Sequence, residues 1–461
     1  MNQKFQRDSW FIKIICLIFS ISFFMAAFAA TVYLDLWGHV WEDFFKIMVM
    51  PAPLVTDYFK LGNLASAFLN AGMCSLSCTL IMILLKVECR SSMMAGFFLV
   101  SAHCFYGLNF LNMWPPILGI LLFSKVYKIG FRYNLDMAMF STAFGPFISE
   151  MLFRYHVWNY YISYKIQISI LGFLYVILFS IFLGFAIPAM LPGALKLHKG
   201  YNLYNGGLAF GLLGLFIYAF MYKTLGITPP ETQPILNVTY AMHGNSYQIF
   251  VTAYFLSLFF LFLFLGWYFN GKSFRGYGEL LKSNSHTSDF FSEFEAPRVL
   301  INLGVYGLFI LGYFTLVITF TEGAGFTGPT AGVILAALTF CSQGQHPANV
   351  WPIFAGYAAL SVFVTVLCGI SELSVPWTLS TQGYLNGAAF ATGLCPIAGR
   401  YGRRYGVLAG FVCAVLCTST NPIHGGFMLY NGGLTTGITA LIMIPCLEYY
   451  WKEKKTKKIG A

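Results

Sequence analysis

Apolar runs recur along this chain, separated by short polar breaks. Residues 11–34, 168–191, 249–269 and 298–320 are each long enough to cross about 30 Å of hydrocarbon as a helix. Shorter runs at 61–86, 92–108, 112–127, 135–154, 202–221, 324–343, 349–370, 380–399, 405–420 and 426–447 bring the expected number of membrane segments to about fourteen. The pattern predicts an all-α integral membrane protein. Composition excludes a soluble globule: 58% of residues are hydrophobic and 10% charged, with a mean hydropathy of +0.69. Aromatic residues gather at the ends of many runs, where interfacial anchors belong.

Charge sets the expected orientation. With the N-terminus inside, Lys4, Arg7, Lys86, Arg90, Lys125, Lys128, Arg132, Lys196, Lys199, Lys272, Arg275, Lys282, Arg298, Arg400, Arg403, Arg404 and the tail 452–458 fall on one side. Only Lys46, Lys60, Arg154, Lys165 and Lys223 fall on the other. The positive-inside rule then places both termini in the cytoplasm and the chain in the cell membrane. The net charge of +10 is read as this loop asymmetry, so nucleic acid is not an expected partner. The first apolar run carries a signal-peptide-like Ala27-Phe28-Ala29, but its length suits an uncleaved span. The Asn237-Val238-Thr239 sequon carries no meaning if the host is a bacterium. The eleven cysteines lie scattered in apolar segments without a Cys-x-x-Cys pair, so neither disulfides nor zinc are expected.

The polar breaks repeat. HKGYNLYNGGL (198–208) returns 226 positions later as HGGFMLYNGGL (424–434). GLNFLNMWP (107–115) returns as GQHPANVWP (344–352), and DMAMFSTAFGPF (136–147) as NGAAFATGLCPI (386–397), in the same order. The chain is therefore divided into an N-terminal span (1–60), a first membrane repeat (61–221), a linker with one extra span (222–297), a second repeat (298–447) and a basic tail (448–461). Seven segments separate equivalent positions. That odd number turns the second six-segment repeat upside down relative to the first, as in many secondary transporters.

Each repeated motif has two readings. In LYNGGL, Gly206, Gly207, Gly432 and Gly433 free the backbone either for a tight helix crossing or for a broken helix whose Asn205 and Asn431 face a polar cavity, with Tyr204 and Tyr430 alongside. In the Asn-x-Trp-Pro pair, Asn112 and Asn349 are expected to cap a helix start, with ligand contact as the alternative. Thr142 and Thr392 stand four residues before Pro146 and Pro396, whose missing N–H releases the threonine's own carbonyl and kinks the span. The expected substrate-binding set is Asn205, Asn431, Tyr204, Tyr430, Thr142, Thr392, Asn112, Asn349 and Asp136; the glycines and the two prolines are the hinge set.

Ionisable groups within spans are functional suspects. These are Asp136, Glu150, Glu322, Glu372 and His103, with Glu150 aligned to Arg400 as a candidate ion pair; all but His103 lie near expected span ends, where an interfacial role is the simpler reading. No nucleotide loop, metal-ligand cluster or nucleophile motif is present, so neither an enzyme nor a cofactor is expected. Expected partners are the lipid bilayer and a small-molecule or ion substrate, with a homo-oligomer left open.

The His-Gly-Gly-x-x-Leu-Tyr-Asn stretch, the Asn-x-x-Pro-Ile pattern before a span and CPIAGRYG (395–402) resemble a bacterial family of uncharacterised multi-pass membrane proteins, the domain-of-unknown-function family number fifteen seventy-six. That resemblance covers about residues 50–447 and implies a membrane protein with no assigned activity. The first copy departs from the pattern at Lys199 and at FISEML. LYNGGLAFG (203–211) and LYNGGLTTG (429–437) also look somewhat similar to a stretch of urea transporters, which are inverted repeats as well. The expected function is secondary transport of a small solute by alternating access. The alternative is a channel for a small neutral solute, and an embedded enzyme or scaffold stands behind both.

Overall fold

A computed structural model describes residues 3–155, 168–229 and 245–459, and the side chains among these up to residue 450. Lys165, the Asn237 sequon and the side chains of the basic tail lie outside the described residues. Every regular element among the described residues is helical.

The first part of the chain forms α1 (Gln3–Tyr33), α2 (Val40–Val49), α3 (Leu64–Leu84), α4 (Ser91–His103), α5 (Trp114–Val126), α6 (Leu135–Ser141), α7 (Gly145–Phe153), α8 (Ile170–His198) and α9 (Asn205–Tyr218), which continues as a π-turn to Thr224. The second part forms α10 (Ser246–Phe269), α11 (Ala296–Phe320), α12 (Gly328–Ala337), α13 (Pro347–Ile370), α14 (Gln382–Ala391), α15 (Cys395–Tyr401), α16 (Arg403–Leu416) and α17 (Asn431–Ile459). By length and composition, seven of these helices can cross a membrane: α1, α3, α8, α9 with its π-turn, α10, α11 and α13. Large apolar side chains cover their outward faces: Ile170, Phe173 and Leu178 of α8 are all more than half exposed. That is what lipid contact asks of a surface.

The fourteen expected segments thus include several that are not single full-length helices. The runs at 135–154 and 380–399 are each split by a 3₁₀ turn, at Thr142–Phe144 and Thr392–Leu394, and Pro146 and Pro396 occupy the opening turns of the helices that follow. The expected helix starts near 202 and 426 move to Asn205 and Asn431, because the preceding Leu-Tyr pair is non-helical. The linker 222–297 holds α10 and two single turns, Tyr277–Leu280 and Phe290–Glu293.

Packing in the two parts is matched. Helix α1 lies on α3 and α10 on α11; α5 lies on α8 and α13 on α16; α4 contacts α6 and α12 contacts α14. Buried asparagines perform the same task in each part. Asn70 Nδ2 donates to the Cys104 and Leu108 carbonyls at 2.8 and 3.0 Å. Asn302 Nδ2 donates to the Cys341 and Gln345 carbonyls at 2.8 and 2.9 Å. Each ties the irregular segment after a short helix to a long one, satisfying carbonyls that lipid would leave bare. Replacing either asparagine with alanine strands two buried carbonyls. We expect a loss of about 1–3 kcal/mol for Asn70→Ala and for Asn302→Ala, read as a lower melting temperature in detergent.

The parts also grip one another reciprocally. Asp57 caps the turn at Tyr58–Leu61 and accepts from the backbone N–H of Gly328, the first residue of α12 (2.9 Å). Asp289 caps the turn at Phe290–Glu293 and accepts from the hydroxyl of Ser91, the first residue of α4 (2.6 Å). Each carboxylate sits at the start of a helix from the other part, where the dipole favours negative charge.

Candidate functional site

The LYNGGL copies lie at the centre of the molecule. Upstream of each, two successive residues turn the chain through left-handed conformation: Lys199 (φ 52°) and Gly200 (φ 78°) in one copy, Gly425 (φ 62°) and Gly426 (φ 78°) in the other. Glycine enters this region without strain, whereas the Lys199 conformation costs about 1–2 kcal/mol. A side chain at Gly425 would overlap the Tyr218 ring, so only the first copy has room for one. Lys199 uses that room to pair with Glu448 at 2.5 Å.

The chain then runs extended, and each copy docks on the broken helix of the other part. Leu203 N–H donates to the Gly393 carbonyl (3.0 Å), and Leu429 N–H to the Ala143 carbonyl (2.9 Å). The proline breaks were expected to release the carbonyls of Thr142 and Thr392. Those carbonyls are met within the 3₁₀ turns, by the N–H groups of Gly145 and Cys395, and the carbonyls of the next residues receive the LYNGGL copies. The threonine hydroxyls turn back instead, to the Met139 and Ala389 carbonyls, and Thr392 also accepts from Gln345 Nε2.

Helices α9 and α17 next cross with their backbones touching. A Cβ on Gly207 would overlap the backbone of Gly433, and one on Gly433 would fall 2.8 Å from Gly207 Cα. One turn on, Gly211 faces Leu434 and Gly437 faces Leu208. Both helices carry Gly-x-x-x-Gly, at 207–211 and 433–437, the spacing that lets membrane helices approach closely. Of the two readings for these glycines, the tight crossing describes Gly207 and Gly433.

Two cavities flank the crossing. One, of about 300 Å³, is lined by Phe140, Leu203, Tyr204, Asn205 and Gln343, and by Tyr430. The other, of about 160 Å³, is lined by Tyr106, Asn386, Phe390, Leu429 and Asn431. Phe140, Leu203, Asn205 and Gln343 of the first occupy the repeat positions of Phe390, Leu429, Asn431 and Tyr106 in the second. Among the described residues neither cavity is lined by a charged side chain; amides, hydroxyls and apolar groups make up both walls.

An aromatic layer separates them. The Tyr204 ring lies 4.7 Å from Phe340 and 5.1 Å from Phe390. His103 lies 5.0 Å from Tyr106 and 5.3 Å from Tyr430. Phe210 stacks on Tyr430 at 5.8 Å. The Tyr204 hydroxyl donates to the Ala336 carbonyl at 2.7 Å. The hydroxyls of Tyr106 and Tyr430 are buried without a hydrogen-bond partner among the described residues.

The repeated His and Asn are arranged differently in the two copies. Asn431 Oδ1 meets His424 Nε2 at 3.0 Å beside the smaller cavity. In the first copy, Asn205 Oδ1, at the larger cavity, and both ring nitrogens of His198 are buried without partners among the described residues. The repeated His and Asn are therefore joined in one copy and apart in the other.

Other expected site residues lie elsewhere. Asn112 does not cap α5; it takes the Asn109 N–H and donates to Gly107 and Ser149, clamping its own loop. Asn349, in the first turn of α13, takes the His346 N–H and donates to the Gly344 carbonyl (2.8 Å). Asp136 is not a lining residue of either cavity; it lines a small cleft with Arg90 and Arg132 and accepts from Ser92 (2.8 Å), which does line the larger cavity. Glu150 does not pair with Arg400. It binds Arg154, one helical turn away at 2.5 Å, and accepts from the Tyr222 hydroxyl at 2.8 Å, while Arg400 lies over the Tyr201 ring. Sequence reasoning missed Tyr106 and the Asp57/Asp289 pair. For the aspartates the signal was available, since Asp-Tyr-Phe (57–59) recurs as Asp-Phe-Phe (289–291).

No curated protein and no solved structure matches the chain. One family does, described as a protein of unknown function (DUF1576), over residues 37–223 and 269–449. Those two stretches cover most of the chain and hold both LYNGGL copies, both broken helices and every residue named at the two cavities, and the chain belongs to that family.

Proposed function

We propose that the protein is a secondary transporter of a small solute, working by alternating access between two halves of inverted topology. In this reading α1–α9 and α10–α17 are equivalent units contributing about fourteen membrane segments, with both termini cytoplasmic. The observation that carries it is the pair of cavities built from the same repeat positions and unequal in size, with a His–Asn bond closed at one and open at the other. An inverted pair exchanges such states between its halves as access switches sides. Support for inversion comes from α4 and α12. Gly328 abuts Phe105 and Gly332 abuts Ala102, so these equivalent short helices run antiparallel. Uncharged walls suit an uncharged polar solute, a charged one being costly to strip of water there. That same feature favours the second reading, a channel for a small neutral solute.

The test is thiol accessibility at Asn205→Cys and Asn431→Cys, in a background without native cysteines, with a membrane-impermeant reagent applied from each side. Alternating access gives labelling from opposite sides, with modification of one position slowing the other by about tenfold, the scale of a 1.4 kcal/mol coupling. Labelling of both positions from both sides at once would instead indicate a continuous pore. If neither position is ever labelled, both cavities are closed packing defects and the transport reading falls.

A further inference from the structure

His103 is a singular residue in an otherwise matched arrangement. It ends α4, it is 1% exposed, and its place in the second half is taken by Phe340. Its ring stands between the two cavities, against Tyr106 of the smaller and Tyr430 of the larger. Both ring nitrogens face carbonyl oxygens: Nδ1 lies 2.7 Å from Leu99 O, and Nε2 lies 3.1 Å from Leu429 O.

Carbonyl oxygens only accept. A neutral imidazole has one N–H, so it satisfies one of these contacts and turns a lone pair toward the other oxygen. The imidazolium has two N–H groups and satisfies both. The shorter contact, to Leu99 one turn back on the same helix, is the one a neutral ring keeps. Protonation then adds the bond to Leu429, the residue that opens the second LYNGGL copy and lines the smaller cavity. The first half has no such contact: the Leu203 carbonyl is taken by the N–H of Asn205 at 2.9 Å.

Among the described residues no carboxylate is bonded to His103; Asp57, on the turn packed beside Phe105, has its carboxylate held by the N–H groups of Phe59 and Gly328. Its own segment brings Tyr106, the 424–430 loop brings Tyr430, and α14 brings the Phe390 ring. Helix α12 has no titratable residue, and α3 has only the thiols Cys74 and Cys78. On α6 the charged residue is Asp136, bonded to Ser92 at the far end of α4. On α1 the buried thiol is Cys16, and the charged residues Lys4, Arg7, Asp8 and Lys13 occupy its first three turns. A proton on His103 is thus held by two carbonyl dipoles rather than by a counter-charge. The unpartnered hydroxyls of Tyr106 and Tyr430 give it one polar neighbour toward each cavity.

We propose that His103 binds the coupling proton: uptake clamps the second LYNGGL copy onto α4 and closes the smaller cavity, and release frees the Leu429 carbonyl and opens it. This rests on the alternating-access reading and adds a proton as the coupled ion.

The test uses the full chain in sealed vesicles and a maleimide as probe. The rate of Asn431→Cys labelling is divided by that of Asn205→Cys at each pH between 5.5 and 8.5, which cancels the reagent's own pH dependence. The ratio is expected to rise with pH by up to about tenfold per unit, the limit for one proton. It is expected to lose that dependence in His103→Phe, the residue the second half uses, and in His103→Gln, which keeps a donor for Leu429 should the phenylalanine variant fail to fold. A pH-independent ratio in the presence of His103, with opposite-side labelling intact, overturns the proton assignment and leaves alternating access standing. A pH dependence that survives both substitutions also overturns it. Failure of both cysteines to label under any condition removes the transport reading itself.

Discussion

Gly207→Val is expected to abolish the folded protein, and Gly433→Val to do the same. At this crossing the two helices meet backbone to backbone, so a side chain on either glycine enters main-chain atoms of its partner rather than a movable side chain. Overpacking in a well-packed interior costs about 1–3 kcal/mol where neighbours can shift. Here the neighbours are held. Leu203 and Leu429, just upstream, are hydrogen-bonded to opposite halves, and Gly211 and Gly437 press on Leu434 and Leu208 one turn later. The penalty therefore lies at or beyond the upper end of that range, a large share of a typical stability of about 5–15 kcal/mol. Fluorescence-detected size exclusion of detergent extracts gives the answer directly, as loss of the monodisperse peak. Gly312→Ala is the control. That position in α11 has nothing within 4 Å of a Cβ, and alanine there should leave the peak unchanged or raise its melting temperature slightly.

Arg154→Met is expected to be the most damaging substitution of a charged residue. Glu150 is fully buried, and its carboxylate is satisfied by Arg154 and the Tyr222 hydroxyl. Removing the arginine leaves a buried negative charge with one hydroxyl for company, at a cost of about 3–5 kcal/mol. Removing both charges is a different matter. Glu150→Gln combined with Arg154→Met should recover much of the loss, because an uncompensated charge costs more to bury than an amide beside a thioether. Thermal melts of the two single variants and the double variant, read as a cycle, check this. Additive losses would show that the pair is not coupled.

How much of this was legible beforehand can be followed residue by residue. Helix content and the central place of LYNGGL follow from apolar runs interrupted by repeated polar motifs, because lipid penalises any unpaired backbone group. The partner of Glu150 was misread because alignment between repeats pointed to Arg400. The local rule that residues four apart on a helix are neighbours points to Arg154. Thr142 and Thr392 were noticed for the proline four residues on, yet their carbonyls are met inside a 3₁₀ turn, and it is the carbonyl next door that binds the other part. Asn112 and Asn349 were expected to cap helix starts; Asn349 does meet the His346 N–H at the start of α13, whereas Asn112 is turned to its own loop, a difference the shared motif does not show. Tyr106 shares a repeat position with Gln343 without sharing its chemistry, so the repeat could not reveal it.

The exchanged backbone bonds, Leu203 to Gly393 and Leu429 to Ala143, have a consequence for synthesis. A ribosome delivers Leu203 long before Gly393 exists, so the first copy waits in the membrane with an unmet amide until most of the chain has followed. The N-terminal part is thus an unfinished piece while it is being made. Final assembly has to be a late event in which the pieces close on each other together, and a nascent chain stalled before residue 393 would expose that amide to quality-control proteases.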